Sequence, residues 1–336
     1  MIDLNASRVL VTGGAGFIGS ALVWELNRRG CDNIVIADFL DSDDKWRNLV
    51  PLRFEDYLEA DDLLPRLASG TLGKFDLVLH MGACSATTES DAAYLVRNNY
   101  EFTKSLAEHA LANASRFVYA SSAATYGDGS AGMNDSSALD NLDALRPLNM
   151  YGYSKQLFDL HAARHGYVDR VVGLKFFNIF GPNENHKGEM RSLVNKAYAQ
   201  VVETGEIRLF KSYRAEYAHG EQRRDFLYVK DAVGMTLHLA ANDSASGLFN
   251  IGSGEAHSWL DLADAVFRAL GKEPNVTFID MPAELRARYQ YFTQADIGRL
   301  RAAGYGAPIT PLCDAVEDYV RDYLVSVSRR GDQLGK

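Results

Sequence analysis

Residues 9–19 read Val9-Leu10-Val11-Thr12-Gly13-Gly14-Ala15-Gly16-Phe17-Ile18-Gly19. Val9 to Val11 is an apolar, β-branched run, too short for a helix and suited to a buried strand. Gly13, Gly16 and Gly19 then follow at equal spacing. The first permits a tight turn, the second lets backbone approach a pyrophosphate, and the third lets a helix pack closely on the sheet. The helical pattern from Ser20 to Arg29 starts where that turn ends. Its N-terminus offers free N–H groups and the positive end of a dipole to phosphates. A glycine triad alone is weak. Here it leaves a strand, opens a helix, and precedes a second strand, Ile34-Val35-Ile36, that ends at Asp38, 19 residues beyond Gly19. That context reads as a dinucleotide cradle. Asp38 stands where a carboxylate accepts hydrogen bonds from an adenosine ribose. A carboxylate there favours NAD, whereas Lys45 and Arg47 suit the 2′-phosphate of NADP, with Asp41, Asp43 and Asp44 opposing; local charge leaves the choice open.

The same rhythm continues outward. Leu77-Val78-Leu79 and Phe117-Val118-Tyr119 read as further buried strands, Leu95 to Ala112 as a helix, and Val171 to Phe176 as a strand after a helix holding Lys155 to Arg164. Alternating strands and helices predict an α/β protein: a Rossmann-type, doubly wound parallel sheet covered on both faces. Beyond about Pro182 the rhythm breaks at Gly181–Gly188, Ser212–Gln222 and Asn242–Gly247. We expect a dinucleotide-binding domain over 1–181, rejoined by a strand near 248–251, a smaller α/β lobe over 182–325, and a frayed tail over 326–336. Asp128 to Pro147 is polar and glycine-bearing, and reads as a tolerated surface insertion.

Tyr151-Gly152-Tyr153-Ser154-Lys155 puts a tyrosine and a lysine at i and i+4, on one face of a helix. An ammonium near the phenol favours phenolate and lowers its pKa from about 10, making Tyr151 a usable acid/base for hydroxyl–carbonyl interconversion. Ser122, in the Ser121-Ser122-Ala123-Ala124-Thr125-Tyr126-Gly127 segment after the fourth strand, is placed to bond the same substrate oxygen.

Composition bounds the rest. The chain has 336 residues, 47% apolar and 24% charged, an ordinary globular balance. Lys and Arg total 35 against 44 Asp and Glu, a net charge of −9 that argues against nucleic-acid binding. Cys31, Cys84 and Cys313 show neither a disulfide framework nor a metal spacing, so we expect a reducing, cytoplasmic setting. The start of the chain lacks a signal-peptide pattern, and no apolar run nears the ~20 residues that span a bilayer, so no membrane is expected.

The cradle, the serine segment and Tyr151-x-x-x-Lys155 together resemble the extended short-chain dehydrogenase/reductases that act on nucleotide sugars. Further stretches narrow the likeness to 6-epimerases of ADP-linked heptose: Met81-Gly82-Ala83-Cys84-Ser85-Ala86-Thr87-Thr88-Glu89, Phe176-Phe177-Asn178-Ile179-Phe180-Gly181-Pro182, His186-Lys187-Gly188, Arg223-Arg224-Asp225-Phe226, and Arg288-Tyr289-Gln290-Tyr291-Phe292-Thr293-Gln294-Ala295-Asp296. The similarity runs from about Arg8 to Tyr323. It implies that the sixth carbon of ADP-heptose is inverted, for lipopolysaccharide core synthesis, by transient oxidation and re-reduction with tightly held NADP, NAD not being excluded. It implies two acid/base groups, Tyr151 and Lys187, with Lys155 and Ser122 in support. It implies cofactor contacts from Gly13, Gly16, Phe17, Ile18, Gly19, Asp38, Phe39, Lys45, Met81, Gly82, Ala83, Cys84, Ser85, Asn98, Tyr151, Lys155, Ile179 and Lys187. Substrate contacts are implied for Asn178, Glu189, Lys196, Phe210, Lys211, Ser212, Tyr213, Arg224 and Tyr289. A homo-oligomer, a pentamer in the family, is implied as well, and no metal.

Departures accompany the likeness. Ala60 stands where the family places a second lysine near the adenosine phosphate, and Phe39 where a polar residue is usual. Rival readings are a nucleotide-sugar 4-epimerase, a 4,6-dehydratase, or a non-catalytic dinucleotide sensor. Dehydratases carry an Asp-Glu pair after the serine segment's hydroxyl residue; Ala123-Ala124 occupies that place. A 4-epimerase has no need of Lys187, and sensors typically lose the tyrosine or the lysine kept here.

Overall fold

The computed structural model describes residues 2–286 and 289–326. Arg288 and the expected frayed tail, apart from Ser326, lie outside these residues. The strands are β1 (Val9–Thr12), β2 (Ile34–Asp38), β3 (Asp56–Glu59), β4 (Leu77–His80), β5 (Arg116–Ser122), β6 (Val171–Phe176), β7 (Asn178–Phe180), β8 (Ile207–Phe210), β9 (Arg223–Arg224), β10 (Phe226–Tyr228), β11 (Gly247–Ile251), β12 (His257–Ser258) and β13 (Val276–Ile279). Seven of them form one sheet in the order β11-β6-β5-β4-β1-β2-β3. Every pairing in it is parallel. β1, β2, β4, β6 and β11 are buried at every residue. Helices cover both faces, which is why these strands are continuously apolar and not alternating. Core side chains accordingly gather in two clusters, one on each face.

Strand order reverses at β1, which pairs with both β2 and β4. At such a switch point the connections leave in opposite directions and open a crevice beyond the carboxyl ends of the strands. Every expected strand is present, including the return strand β11. β3 is an addition that the sequence did not signal. Its Asp-Tyr-Leu-Glu sequence buries only Leu58 fully, because it lies at the sheet edge. The helix expected over 95–112 arrives in sections: Ala92–Leu95, a wider π-turn over Val96–Glu101, and Phe102–Ala112.

The segment 128–147 departs from the tolerated insertion expected. Asp135 accepts the Asn250 amide at 2.9 Å and Ser137 accepts the Leu248 amide at 2.9 Å. Those amides belong to β11, the other edge of the sheet, so the insertion satisfies an edge that would otherwise be open to pairing.

The remaining strands pair in twos: β7 with β10, β9 with β12, and β8 with β13. No helix among the described residues is long and apolar enough to cross a membrane.

Candidate active site

A cleft of about 470 Å³ lies over the switch point. Its floor is the glycine turn. Gly13 has φ +66°, and a Cβ there would stand 2.6 Å from the Gly82 amide nitrogen. A Cβ on Gly19 would fall 2.0 Å from the Gly13 carbonyl oxygen. Both glycines are therefore required by close backbone approach. The helix Phe17–Arg28 starts at Gly16 with no side chain capping it, so its first amides remain for a ligand. The Asp38 carboxylate accepts from the Ala15 amide at 2.8 Å, the Gly16 amide at 3.2 Å and the Phe39 amide at 2.8 Å. Lys45 Nζ stands 3.1 Å from Oδ1, the oxygen that takes the Phe39 amide. Asp38 thus ties down the turn as well as lining the cleft. These features fit a dinucleotide: an open cradle of backbone N–H groups with a carboxylate and a lysine at its far end.

The neighbouring wall is the loop after β4. His80 is buried, bonded to Thr12 Oγ1 at 2.6 Å through Nδ1 and to Thr103 Oγ1 at 2.7 Å through Nε2. Burial pushes its pKa down to about 3, so it is neutral there. Thr12 Oγ1 also accepts the Gly82 amide at 3.2 Å, which joins β1 to the Met81–Ser85 loop. Met81, Gly82, Ala83 and Ser85 line the cleft. Cys84 stands behind, its amide and carbonyl both bonded to Asn99 at 2.9 Å. Asn98 is outside the lining and donates to Asn99 at 3.0 Å.

Ser122, Tyr151 and Lys155 converge in this same cleft. Asn149 caps the helix of Tyr151 and Lys155, Met150–Arg164, by accepting the Gly152 amide at 2.8 Å. Asn99 holds it to the Cys84 loop through Ser154 Oγ at 3.0 Å. The electrostatics differ from the expectation. Burial raises the Tyr151 phenol, and the Ser122 hydroxyl, hydrogen-bonded to it, pulls the other way. The Lys155 ammonium donates to the Ala120 carbonyl at 2.9 Å, and burial is the largest influence on the phenol. Burial brings Lys155 down to about 8, while Asp159 opposes the fall.

Lys187 lines the cleft too, with its Nζ 5.0 Å from the centre of the Phe17 ring. It is no solvated loop lysine: burial lowers its pKa, and the Glu184 carboxylate works against that. Asn178 and Ile179, at the start of β7, line the space between. The arrangement brings a phenol and two lysines into one cavity, beside a cradle fit for a dinucleotide.

A second wall lies beside the cleft. Arg224 is buried, its guanidinium 5.1 Å from the centre of the Tyr289 ring and 5.7 Å from that of Trp259. Trp259, which lines the cleft, donates to the Tyr289 hydroxyl at 2.7 Å. Asp225 is not an ion-pair partner of Arg224. Its carboxylate accepts from the Ser253, Gly254 and Ala295 amides and the Ser253 hydroxyl, and so pins two loops. The other substrate candidates stand outside the lining. Glu189 pairs with Lys196 at 3.2 Å, and Lys211 with Asp280 at 3.2 Å. Phe210 ends β8, Ser212 bonds to the Arg214 carbonyl, and Tyr213 bonds to Asp280 at 2.9 Å.

Sequence comparison agrees with this geometry. The signature of the NAD dependent epimerase/dehydratase family matches residues 9–252. The chain belongs to that family. It is 52% identical over 318 residues to an ADP-L-glycero-D-manno-heptose-6-epimerase of Nitratidesulfovibrio vulgaris, covering 94% of this chain and 98% of that one. Its identity to the enzyme of the same name from Fusobacterium nucleatum is 46% over 324 residues, again 94% and 98% of the two chains. Among solved structures, the Helicobacter pylori ADP-L-glycero-D-manno-heptose-6-epimerase superposes with a TM-score of 0.80 at 27% identity, covering 96% of this chain and 98% of that one.

Several residues of this epimerase-family cleft carry no signal in the motifs. Trp259 begins the helix Trp259–Leu270, marked in sequence only by the Ser258–Asp261 capping box. Arg191 lines the cleft beside Lys187, and so does His186, which the His186-Lys187-Gly188 motif contains but to which no role was given. Burial takes His186 down to about 4, so it stands neutral beside the lysine. Asn99 was legible only as the neighbour of Asn98; the π-turn that buries it is not readable from spacing.

Proposed function

We propose that this chain inverts the sixth carbon of an ADP-linked heptose, converting the D-glycero to the L-glycero epimer through a transient carbonyl. The observation that carries this reading is the presence of Lys187 in the same cleft as Ser122, Tyr151 and Lys155. A 4-epimerase of this family has no need of Lys187, and Ala123-Ala124 stands where a dehydratase carries its Asp-Glu pair. The names of the relatives at 46–52% identity support the same substrate.

The glycine turn, Asp38, Lys45, the Met81–Ser85 loop and Lys155 would hold the dinucleotide, which when bound supplies reversible hydride transfer at the sixth carbon. Tyr151 takes or returns the hydroxyl proton of the substrate in one configuration. Lys187 serves the other, because one group does not reach the oxygen on both faces of the inverting carbon. Ser122 hydrogen-bonds the phenol and stands ready for the substrate oxygen. Lys155 lies one helical turn from Tyr151 and holds a positive charge under the site. Arg224, clamped between Trp259 and Tyr289, suits the pyrophosphate, since a guanidinium binds phosphate oxygens in pairs. Asn178 suits the sugar hydroxyls. We take the dinucleotide to be NADP, with Lys45 meeting the 2′-phosphate, residues 1–181 as the dinucleotide domain, and 182–325 as mainly the sugar-nucleotide lobe. A cytoplasmic homo-oligomer serving lipopolysaccharide synthesis completes the reading. Turnover of ADP-D-glycero-D-manno-heptose tests it. The L-glycero epimer forms with no net change in dinucleotide absorbance; failure to invert that sugar refutes the assignment.

A further inference from the structure

Three residues before Lys187 lies a buried carboxylate, Glu184, that the reaction as described does not use. Glu184 is fully buried. It accepts the Ser192 amide at 2.6 Å, the Ser192 hydroxyl at 2.5 Å and the Tyr319 hydroxyl at 3.1 Å. These donors come from two helices, Leu193–Thr204, which Ser192 caps, and Leu312–Tyr319. All three are neutral, so they solvate the carboxylate without cancelling its charge. The N-terminus of a 12-residue helix adds a dipole that favours the ionised form. Burial opposes it and raises the carboxyl, while the Lys187 charge is the largest influence holding it down. The Lys187 amide donates to the Glu184 carbonyl at 3.0 Å, closing a tight turn. In a 3₁₀ turn, residues i and i+3 eclipse, so both side chains leave the backbone on one side.

We propose that Glu184 is a positioning residue that holds Lys187 in its charged form and sets the pH at which it changes from acid to base. The proposal rests on the reading of Lys187 as the second acid/base group. Other groups around Lys187 do not substitute for Glu184. His186 is neutral beside it. Arg191, of like charge, gives its Nε to the Gly188 carbonyl and a terminal nitrogen to Asn195. From the facing segment Asp44–Asn48 comes Lys45, already paired with Asp38. Asp43, which precedes that segment, accepts the Lys45 amide at 2.6 Å. From the last helix comes the Tyr319 hydroxyl, itself bonded to Glu184. Tyr151 and Lys155, also in the cleft lining, are a neutral phenol and a second cation. Glu184 is thus the carboxylate that answers the lysine within its own turn.

The test is a direct titration of Lys187. Reductive ¹³C-methylation gives each lysine a dimethylamine signal that reports its protonation, and loss of one signal in Lys187→Arg assigns it. Glu184→Gln keeps the shape and removes the charge. Its Lys187 midpoint should fall by about one pH unit or more, the usual effect of losing an adjacent opposite charge. The Lys187-dependent limb of kcat against pH should move down with it, and Glu184→Asp should restore most of both. Should Glu184→Gln not fold, Glu184→Met removes the charge with a side chain of similar length and should lower the midpoint to the same extent. An unchanged midpoint in the variant that folds overturns the proposal. A midpoint that falls while the rate profile stays fixed upholds Glu184 and removes Lys187 from the chemistry.

Discussion

Tyr151 and Lys187 carry the argument at the scale of single residues. In the proposed reaction each serves one configuration of the substrate, and a full cycle uses both. Tyr151→Phe and Lys187→Met should each lower epimerisation by ~10²–10⁴-fold, the usual contribution of a general acid/base. An analogue with an aldehyde at the sixth carbon should still be dismuted by either variant, with opposite preference for the two faces. Lys155 adds a pH dependence. Its ammonium deprotonates near about 8 because burial penalises the charge. It is cationic below that value, so kcat should fall as pH rises through it, and Lys155→Arg should carry a charge to higher pH at the cost of fit. Lys45 touches the Asp38 carboxylate at 3.1 Å. Lys45→Ala should weaken NADP more than NAD, measured by fluorescence titration; equal loss of both would reject a 2′-phosphate contact.

At the scale of elements, the first βαβ unit was fully legible, because its glycines answer to backbone distances that no other residue meets. Gly19→Ala should destabilise by roughly 1–3 kcal/mol, as overpacking does, and lose dinucleotide binding, both read by thermal shift with and without cofactor. What holds the unit to β4 was not legible. His80 is an apolar-looking strand end in sequence, yet it joins Thr12 to Thr103 as a buried neutral ring. Its pKa is depressed to about 3 in the folded protein, against about 6.5 unfolded. Between those values the unfolded chain binds more protons, so stability is lost as pH falls through that window. The difference in unfolding free energy between the protein and His80→Gln should shrink by about 1.4 kcal/mol per pH unit there. Glu189 and Lys196 were expected as substrate contacts by position, although both differ from the residues usual there; in the structure they pair with each other outside the cleft lining.

Across the whole molecule, the sheet collects chemistry from distant parts of the sequence. Asp159, one turn beyond Lys155, ion-pairs with Lys175 of β6 at 2.8 Å and accepts from Tyr119 and Ser121 of β5. Both charges are fully buried. Asp159→Asn should cost about 3–5 kcal/mol in chemical denaturation, because it leaves an uncompensated ammonium, and joint replacement with Lys175→Met should recover most of it. Sequence showed neither partner, since each sits in a run that reads as ordinary helix or strand. The return of β11 to the sheet was legible from its apolar run, whereas the role of 128–147 as its edge cover was not, because Asp135 and Ser137, which accept the β11 amides, look like any polar loop residues.

The central claim is that two opposed acid/base groups share one cleft and invert a heptose at its sixth carbon. Its most direct test is a ¹H NMR time course of ADP-D-glycero-D-manno-heptose with the purified protein and with Lys187→Met. The account predicts conversion to an equilibrium mixture of the two C6 epimers by the protein, and a loss of at least ~10²-fold in the variant. Unimpaired inversion by Lys187→Met, or no inversion by the protein itself, would contradict it.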